Sequence, residues 1–390
     1  MRRRRISNWT IRNSISDTEE IWLHGYTGAV DIIDKSIIEN PDEDVQQKML
    51  DSGYLTEMDE VEEQFHFELL CKDIRKVILR SMIYVLQFSF ECNFSCSYCF
   101  EHNSRRSSKS RHLKIESKYL VRVREVINSL RKEKIIDDEE LVFFGGEPLL
   151  PENKSLLQDA VFMAEELNIK KIKVITNGFY VDSMIGVFEQ NTTRFQITLD
   201  GTQEVHDKRR FDKNTKKSFE RILENIEMLV KLGYVVQLRV NIDHNNYEQI
   251  PFLFEIFLSK GLSGYEQFQP YLAYIQDYGK YEQLITPSQI ISYYESQSIF
   301  KDFKVALDPL GLQRMLHDSV VNGKLFEFTI NHCGANKGTM ITLSPDGRIY
   351  PCWDSNEFDV PIGTYYPEVS WDLKYYKKNW VPRCFKWVTG

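Results

Sequence analysis

Six short apolar runs alternate with amphipathic helical patterns between residues 82 and 272, and this alternation limits the fold more than any other feature of the sequence. The runs, rich in Val, Ile and Phe, cover residues 83–90, 141–144, 172–176, 195–199, 235–242 and 267–272. Such runs are typical of strands buried on both faces. The helical patterns place apolar residues at three- and four-residue spacing, as in Leu120, Val123, Val126, Ile127 and Leu130, and again over 156–167, 219–230 and 247–258. Alternating strands and helices form right-handed βαβ units, so the sequence predicts an α/β fold around a parallel sheet.

Composition excludes several classes of protein. Hydrophobic residues make up 42% of the 390 residues, which is too many for an intrinsically disordered chain. The formal net charge of −8 argues against a basic nucleic-acid-binding protein. No stretch approaches the roughly 20 consecutive apolar residues of a membrane helix, and the basic start at 2–5 is followed by polar residues rather than by the apolar core of a signal peptide. We therefore expect a cytoplasmic protein that acts on neither nucleic acid nor membrane.

Three of the seven cysteines, Cys92, Cys96 and Cys99, fall within eight residues directly after the first predicted strand. Loops at the carboxyl ends of parallel strands carry the functional sites of α/β folds. Three thiolates are one fewer than a structural zinc ion takes. A [4Fe–4S] cluster held by three cysteines keeps one iron open to another ligand. A zinc knuckle and three buried thiols are the alternatives.

The C-x3-C-x2-C spacing is the hallmark of the radical S-adenosylmethionine (SAM) enzymes, and this chain resembles that family, including the aromatic Tyr98 before the third cysteine. The resemblance implies a partial (β/α)6 barrel. It also implies that the open iron chelates the amino and carboxylate groups of SAM. An electron from the cluster then cleaves the sulfonium, and the released 5′-deoxyadenosyl radical abstracts hydrogen. The implied electron donor is a reduced flavodoxin or ferredoxin.

Further motifs in the order expected of the family support the resemblance. Gly145, Gly146 and Glu147 close the second strand and look like the family's Gly-Gly-Glu motif, which implies contacts to the SAM ammonium. Thr198 and Arg210 lie in a stretch similar to the family's Ser-Leu-Asp-Gly…His-Asp…Arg segment, which implies contacts to the ribose or carboxylate of SAM. We expect two other members of that stretch, Asp200 and His206, to organise the turn.

Near the C-terminus, Cys333, Cys352 and Cys384 resemble ligands of the SPASM extension, which carries auxiliary [4Fe–4S] clusters in peptide- and protein-modifying relatives. The Pro345-Asp346-Gly347 turn predicts a hairpin. A full SPASM region has seven cysteines, so this one departs from the pattern. One incompletely ligated cluster, a shortened "twitch" form, a truncated chain and non-ligating cysteines are the alternatives.

The predicted domains are a leader-recognition or wedge-like region at 1–81, the radical SAM partial barrel at 82–290, and a small shortened SPASM/twitch-like domain at 291–390. Within the first, the apolar residues between Ala29 and Ile38 predict a helix. By resemblance, the region captures a peptide by adding a strand to a small sheet. The alternative for this region is a structural cap on the barrel.

The combined prediction is a radical SAM enzyme that modifies a ribosomally made precursor peptide by a thioether, a carbon–carbon crosslink or epimerisation. One alternative is an anaerobic sulfatase-maturating enzyme, which forms formylglycine. The other is a catalytically silent protein that uses iron–sulfur clusters structurally or for redox sensing.

Overall fold

The computed structural model describes residues 3–78, 80–99, 101, 112–133, 135–275, 293–294, 296–303, 320, 325, 334–353 and 361–371. These fall into two compact units, one formed mainly by the described residues up to 78 and the other by those from 80 to 303 and from 334 to 371. Among the described residues, no helix is both long and apolar enough to cross a bilayer.

The first unit contains a short strand pair and a three-stranded antiparallel sheet with helices. Its strands are β1 (Arg5–Ile6), β2 (Thr10–Ser14), β3 (Glu19–His24), β4 (Val30–Asp34) and β5 (Leu55–Thr56). Its helices are α1 (Lys35–Glu39), α2 (Glu43–Asp51) and α3 (Glu60–Ile78). The sheet has the order β2-β3-β4, while β1 pairs with β5. Trp22 and Tyr54 pack edge to face in its core. The predicted helix over the apolar residues 29–38 is wrong in its first half, because Val30–Asp34 is a strand whose β-branched residues suit a pleated sheet.

The second unit is built on six parallel strands in sequence order. They are β6 (Ser81–Gln87), β7 (Asp138–Phe144), β8 (Lys171–Ile175), β9 (Thr193–Thr198), β10 (Val235–Ile242) and β11 (Phe268–Tyr274). Each pairs in parallel with the next. All six correspond to predicted strands, and this arrangement confirms the predicted α/β class.

Most helices of the second unit pack on one face of the sheet. They are α4 (Ser117–Glu133), α5 (Lys154–Glu166), α6 (Val181–Met184), α7 (Gln203–Arg209), α8 (Phe219–Lys231), α9 (Ile250–Ser259) and α10 (Gly334–Lys337). The five apolar residues predicted to face inward on α4 are all buried. Pro251 lies in the first turn of α9, where its missing N–H costs no helical hydrogen bond. The main core lies between these helices and the sheet.

The opposite, inner face of the sheet differs between its two halves. On β6 and β7 it is mainly apolar, and Val85 and Val142 form one cluster with Met340 of the C-terminal segment, beside the polar Gln87 and Glu140. On β8 to β11 it is polar and includes Lys173, Gln196 and Arg239. The inner face is therefore divided into an apolar wall and a polar wall.

A C-terminal hairpin extends the sheet beyond β6. It consists of β12 (Met340–Leu343) and β13 (Arg348–Tyr350), followed by β14 (Gly363–Thr364) and β15 (Ser370–Trp371). Strand β12 pairs in parallel with β6 and antiparallel with β13, so the predicted hairpin is present, with Gly347 at φ +80° in its turn. Cys352 follows β13 and is half-buried. Cys333 and Cys384 lie outside the described residues.

Candidate active site

The cysteine-bearing loop follows β6 and lies at the carboxyl edge of the parallel sheet. Its backbone is hydrogen-bonded to the end of α7 and to the segment that follows: the Ser97 N–H donates to the Arg209 carbonyl over 3.2 Å, and the Ser95 N–H to the Phe211 carbonyl over 3.1 Å. The three cysteines of this loop are half-buried, and all of them line one cavity of about 390 Å³: Cys92, Cys96 and Cys99.

The arrangement of these thiols bears on what they could hold. Across the described parts of the chain, no three His, Cys, Asp or Glu side chains converge tightly enough to hold a single metal ion. A structural zinc ion needs four ligands at roughly 2.0–2.3 Å from one point. A [4Fe–4S] cluster instead attaches its cysteines to different irons. Three thiols around one cavity therefore suit a cluster better than a zinc knuckle.

Two glycines allow the loop after β7 to approach the cysteine loop closely. Gly145 has φ +89° and Gly146 has φ +51°, values that favour glycine. A Cβ on Gly146 would lie 1.9 Å from the Glu91 carbonyl oxygen, and one on Gly145 would lie 2.3 Å from Cγ of Gln87. Both glycines line the cavity, so the backbone is exposed to whatever occupies it.

Glu147 is fully buried and does not line the cavity. Its carboxylate accepts hydrogen bonds from the Thr176 hydroxyl at 2.6 Å and from the backbone N–H groups of Asn177 at 2.6 Å and Leu149 at 2.9 Å. Its own N–H donates to the Glu91 carbonyl over 2.8 Å. Burial raises the pKa of Glu147 to about 7, against these donors. Glu147 thus links the loops after β6, β7 and β8, and its carboxylate is bonded to the cavity-lining residues Thr176 and Asn177 rather than lining the cavity itself.

Asn177, in the loop after β8, connects the Glu147 carboxylate to the cysteine loop. Its side-chain amide donates to Oδ1 of Asn93 over 2.8 Å and lies 3.9 Å from Sγ of Cys92. The loop after β8 is therefore part of the cavity wall, since Thr176 and Asn177 both line it.

A second hydrogen-bonded group surrounds Tyr98. Its hydroxyl bonds to the fully buried Asp200, and it accepts from Arg210 at 2.9 Å and from the side-chain amide of Asn241 at 3.1 Å. Burial and then the Asp200 charge raise the pKa of Tyr98, against the opposing charge of Arg210. The phenol is therefore protonated at neutral pH. The hydrogen bonds of the Tyr98 hydroxyl give a structural reason for a tyrosine directly before the third cysteine in this chain.

Of the other predicted residues, Thr198 and Arg210 line the cavity and His206 does not. The Arg210 side chain is buried, and its Nε has no hydrogen-bond partner among the described residues. His206 is fully buried, accepts from the Asp200 N–H at 3.1 Å, and lies 3.1 Å from the Ser218 hydroxyl. Burial lowers its pKa far below the ordinary value, so His206 is a neutral organiser of the turn.

Sequence analysis missed Glu101, whose carboxylate is buried and lines the cavity. It accepts from the Gly146 N–H and from the Gln87 side-chain amide, each at 2.9 Å. The motifs quoted in the sequence analysis do not include this position, although its place two residues after Cys99 could have drawn attention to it. A carboxylate, a buried guanidinium with an unpartnered Nε and three thiols therefore share one cavity. That donor set fits both a cluster and an α-amino acid such as the methionyl end of SAM.

Comparison with known proteins identifies the family. Residues 86–256 match the model of the Radical SAM superfamily. These residues form a radical SAM domain. Its cofactors are those that the superfamily implies, a [4Fe–4S] cluster and SAM, as expected from the resemblance of the cysteine motif.

The proteins that this chain resembles include a sulfatase-maturating enzyme and a protein solved with its precursor peptide. It is 24% identical over 279 residues to the cysteine-type anaerobic sulfatase-maturating enzyme of Clostridium novyi (strain NT), covering 68% of this chain and 71% of that protein. Native anSMEcpe with bound AdoMet matches with a TM-score of 0.58 at 16% identity, over 77% of this chain and 82% of that one. Streptococcus suis SuiB bound to its precursor peptide SuiA matches with a TM-score of 0.56 at 14% identity, over 97% and 89%.

Proposed function

We propose that this radical SAM enzyme modifies a ribosomally made precursor peptide, with Cys92, Cys96 and Cys99 as the ligands of its [4Fe–4S] cluster. The observation that carries the proposal is the shared cavity, in which these thiols meet groups of both charges suited to an amino acid. When bound, the reduced cluster supplies the electron that cleaves SAM, which makes a radical available to abstract hydrogen from a peptide carbon.

The chain's own residues would orient SAM in this cavity. Arg210 carries a buried positive charge and an unpartnered Nε, which suits it to the SAM carboxylate. Glu101, rather than Glu147, presents a carboxylate to the cavity and suits the SAM ammonium. Thr198 would contact the ribose, and the exposed backbone of Gly145 and Gly146 would lie along the ligand.

The first unit supports a peptide as the partner. Strand β2 is an edge strand, since its one strand neighbour in the described sheet is β3, and four of its five residues are exposed. An extended peptide can add to such an edge through main-chain hydrogen bonds. SuiB, which was solved with its precursor peptide, has a fold that extends over 97% of this chain. We therefore assign leader binding to this unit.

The alternative within the same chemistry is maturation of a sulfatase, favoured by the 24% identity to the Clostridium novyi enzyme over 279 residues. Under either assignment, we propose that Cys333, Cys352 and Cys384 bind one auxiliary cluster. Of these three, Cys352 lies within the described residues. A reduced flavodoxin or ferredoxin would deliver the electron.

The decisive experiment is anaerobic reconstitution with iron and sulfide, followed by dithionite and SAM, with 5′-deoxyadenosine measured by mass spectrometry. We expect deoxyadenosine from the wild-type enzyme. The reconstituted enzyme is then given short peptides encoded beside its gene and, separately, a sulfatase peptide with its active-site cysteine. The proposal is supported if a peptide encoded beside the gene loses two hydrogens, as a crosslink requires, or takes up deuterium from D2O, as epimerisation requires. Formylglycine in the sulfatase peptide alone would replace it with the alternative, and no deoxyadenosine at all would support a silent protein.

The role of the β2 edge is tested separately. Ser14→Pro removes a main-chain N–H from this strand, whereas Ser14→Ala keeps it. We expect Ser14→Pro to weaken binding of the precursor peptide that the enzyme modifies. SAM cleavage in the absence of the peptide should stay at the wild-type rate. Equal precursor affinity in both variants contradicts strand addition at this edge.

A further inference from the structure

The segment after α7 carries a group of exposed lysines. We call residues 211–217 the lysine loop, after Lys213, Lys216 and Lys217, whose side chains are all exposed. None of the three lines the cavity, and among the residues that the structure describes none of them forms an ion pair with a carboxylate. The whole chain has a formal net charge of −8. The loop therefore presents local positive charge to solvent on a chain of opposite net charge.

The one carboxylate in the sequence of the lysine loop is turned inward. Asp212 is 2% exposed, and its Oδ1 accepts from the backbone N–H groups of Asn214 at 3.0 Å and Thr215 at 2.9 Å. Its Oδ2 accepts from the side-chain amide of Asn93 at 3.1 Å. Asp212 therefore organises the backbone of the loop from inside, while the lysines remain at its surface.

The lysine loop is attached directly to the cysteine loop. The Lys213 N–H donates to the Asn93 carbonyl over 2.9 Å, and Phe94 and Asp212 form an antiparallel bridge. The side chain of Lys213 returns to the same place, since its Nζ donates to the Cys92 carbonyl over 2.7 Å. Cys92 is one of the proposed cluster ligands, so a molecule that covers Lys213 would lie against the backbone of a ligand residue.

We propose that the lysine loop is the docking surface for an acidic electron-carrier protein that reduces the cluster. The inference deepens the proposed function and rests on it for the requirement of one electron per SAM cleaved. At this surface the carrier loses one electron and the cluster gains it, while no proton moves and no covalent bond forms. The Lys213 ammonium has three N–H donors and the Cys92 carbonyl uses one of them, so the others can bond to a carboxylate of the carrier.

Position favours a carrier over the peptide substrate as the partner of this loop. A peptide must enter the cavity, where hydrogen is abstracted, and the three lysines lie outside the cavity lining. A carrier needs only to come close to the cluster from outside, and the loop contacts Cys92 there. Electron-transfer complexes are weak and small in area, and complementary charge chiefly speeds and orients their encounter. A short loop with three exposed cations is sufficient for such an encounter.

The first test locates the contact on the wild-type holoenzyme. The enzyme is mixed with an oxidised bacterial flavodoxin and a carbodiimide, which joins a lysine ammonium to a carboxylate in contact with it, and the crosslinks are mapped by mass spectrometry. We expect them at the three lysines of the loop. Two other exposed lysines are internal references: Lys132 in the last turn of α4, and Lys170 directly before β8 at the amino edge of the sheet. Crosslinks at the references and not in the loop overturn the proposal, whether or not any variant folds.

The second test reverses charge. The loop variant combines Lys216→Glu with Lys217→Glu and keeps Lys213, which contacts the cysteine loop. The control variant combines Lys132→Glu with Lys170→Glu, which changes the net charge equally. At about 50 mM salt we expect the Kd for flavodoxin to rise at least about tenfold in the loop variant and less than about twofold in the control. At about 1 M salt the Debye length is about 3 Å, so the difference between the variants should disappear.

Deoxyadenosine formation separates docking from the radical chemistry. With reduced flavodoxin the loop variant should lose at least about tenfold in rate at low salt, whereas an excess of dithionite should support the wild-type rate. Equal losses in the loop and control variants, or the same loss with dithionite, overturn the proposal. Crosslinking of these lysines to the precursor peptide in preference to flavodoxin assigns the loop to the substrate and also overturns it. If the wild type makes no deoxyadenosine with dithionite, the proposed function fails, and the crosslinks and Kd values still decide the docking surface.

Discussion

Gly146→Ala is expected to disable the site by displacing the cysteine loop. The added Cβ would lie 1.9 Å from the Glu91 carbonyl oxygen and under 3 Å from two further backbone atoms of the same residue. Real Cβ atoms stay at least about 3.0 Å from such atoms, so the two loops must separate by about 1.1 Å. Because the contact is with backbone, no side-chain rotation can relieve it.

The magnitude follows from two separable costs. The φ of +51° at Gly146 costs a side chain about 1–2 kcal/mol, and overpacking adds about 1–3 kcal/mol. Misplacement of a reacting group by about 1 Å costs roughly 100-fold in rate. We therefore expect the free energy of unfolding to fall by about 2–5 kcal/mol and the rate of deoxyadenosine formation per bound cluster to fall about 100-fold.

Two other glycines provide matched controls. Gly261 also has positive φ, +70°, but a Cβ there meets nothing within 4 Å, so Gly261→Ala carries the backbone cost alone. Gly186→Ala carries neither cost. Urea unfolding, iron content and deoxyadenosine formation are measured for all three. If Gly146→Ala binds iron like the wild type and cleaves SAM at more than a tenth of its rate, the close approach of the two loops does not position the cysteines.

Three further outcomes are expected. Replacing Cys92, Cys96 and Cys99 together with Ala should abolish deoxyadenosine formation, and iron that remains in this variant measures the auxiliary site; retained cleavage would contradict the ligand assignment. Glu147→Gln should lower the unfolding free energy by about 1–3 kcal/mol, because an amide N–H2 replaces an acceptor among three donors, and an unchanged urea midpoint would refute its linking role. Burial lowers the pKa of His24 to about 4, and the charge of Glu63 only partly opposes this effect. In the unfolded chain the same histidine takes up its proton near pH 6.5. The free energy of unfolding is therefore highest above pH 6.5 and falls by up to about 3 kcal/mol as the pH drops to 4. Hydrogen exchange of the first unit at pH 7.5 and 5 checks this, and protection that does not change with pH would exclude it.

The sequence predicts elements well where apolar periodicity reflects burial. Strand β10 has the predicted bounds, Val235–Ile242, because a buried apolar residue recurs at every second position from Val236 to Ile242. Strand β6 ends at Gln87 rather than at Phe90, since Phe88 and Phe90 are buried outside the ladder. The apolar residues 88 and 90 therefore indicate burial correctly, but the end of a strand is set by backbone hydrogen bonding, which the apolar pattern does not report.

Side-chain direction at the site is harder to predict. The motif locates Glu147 correctly in the chain, yet its orientation is set by Thr176 and Asn177, about thirty residues away. Glu101 reaches the cavity because Gln87 and Gly146 hold it there. Neither orientation follows from local spacing, because both depend on which loops the parallel sheet brings together.

The parallel pairing of β12 with β6 has a consequence for synthesis of the chain. Met340 lies opposite Ile83, so this pairing joins segments separated by more than 250 residues. While the ribosome is still making the intervening chain, the outer ladder of β6 is unpaired and presents Ile83 and Val85 to any extended segment nearby. Contacts of such long separation form slowly. We therefore expect ribosome-bound intermediates to be prone to aggregation and to depend on chaperones until the hairpin emerges.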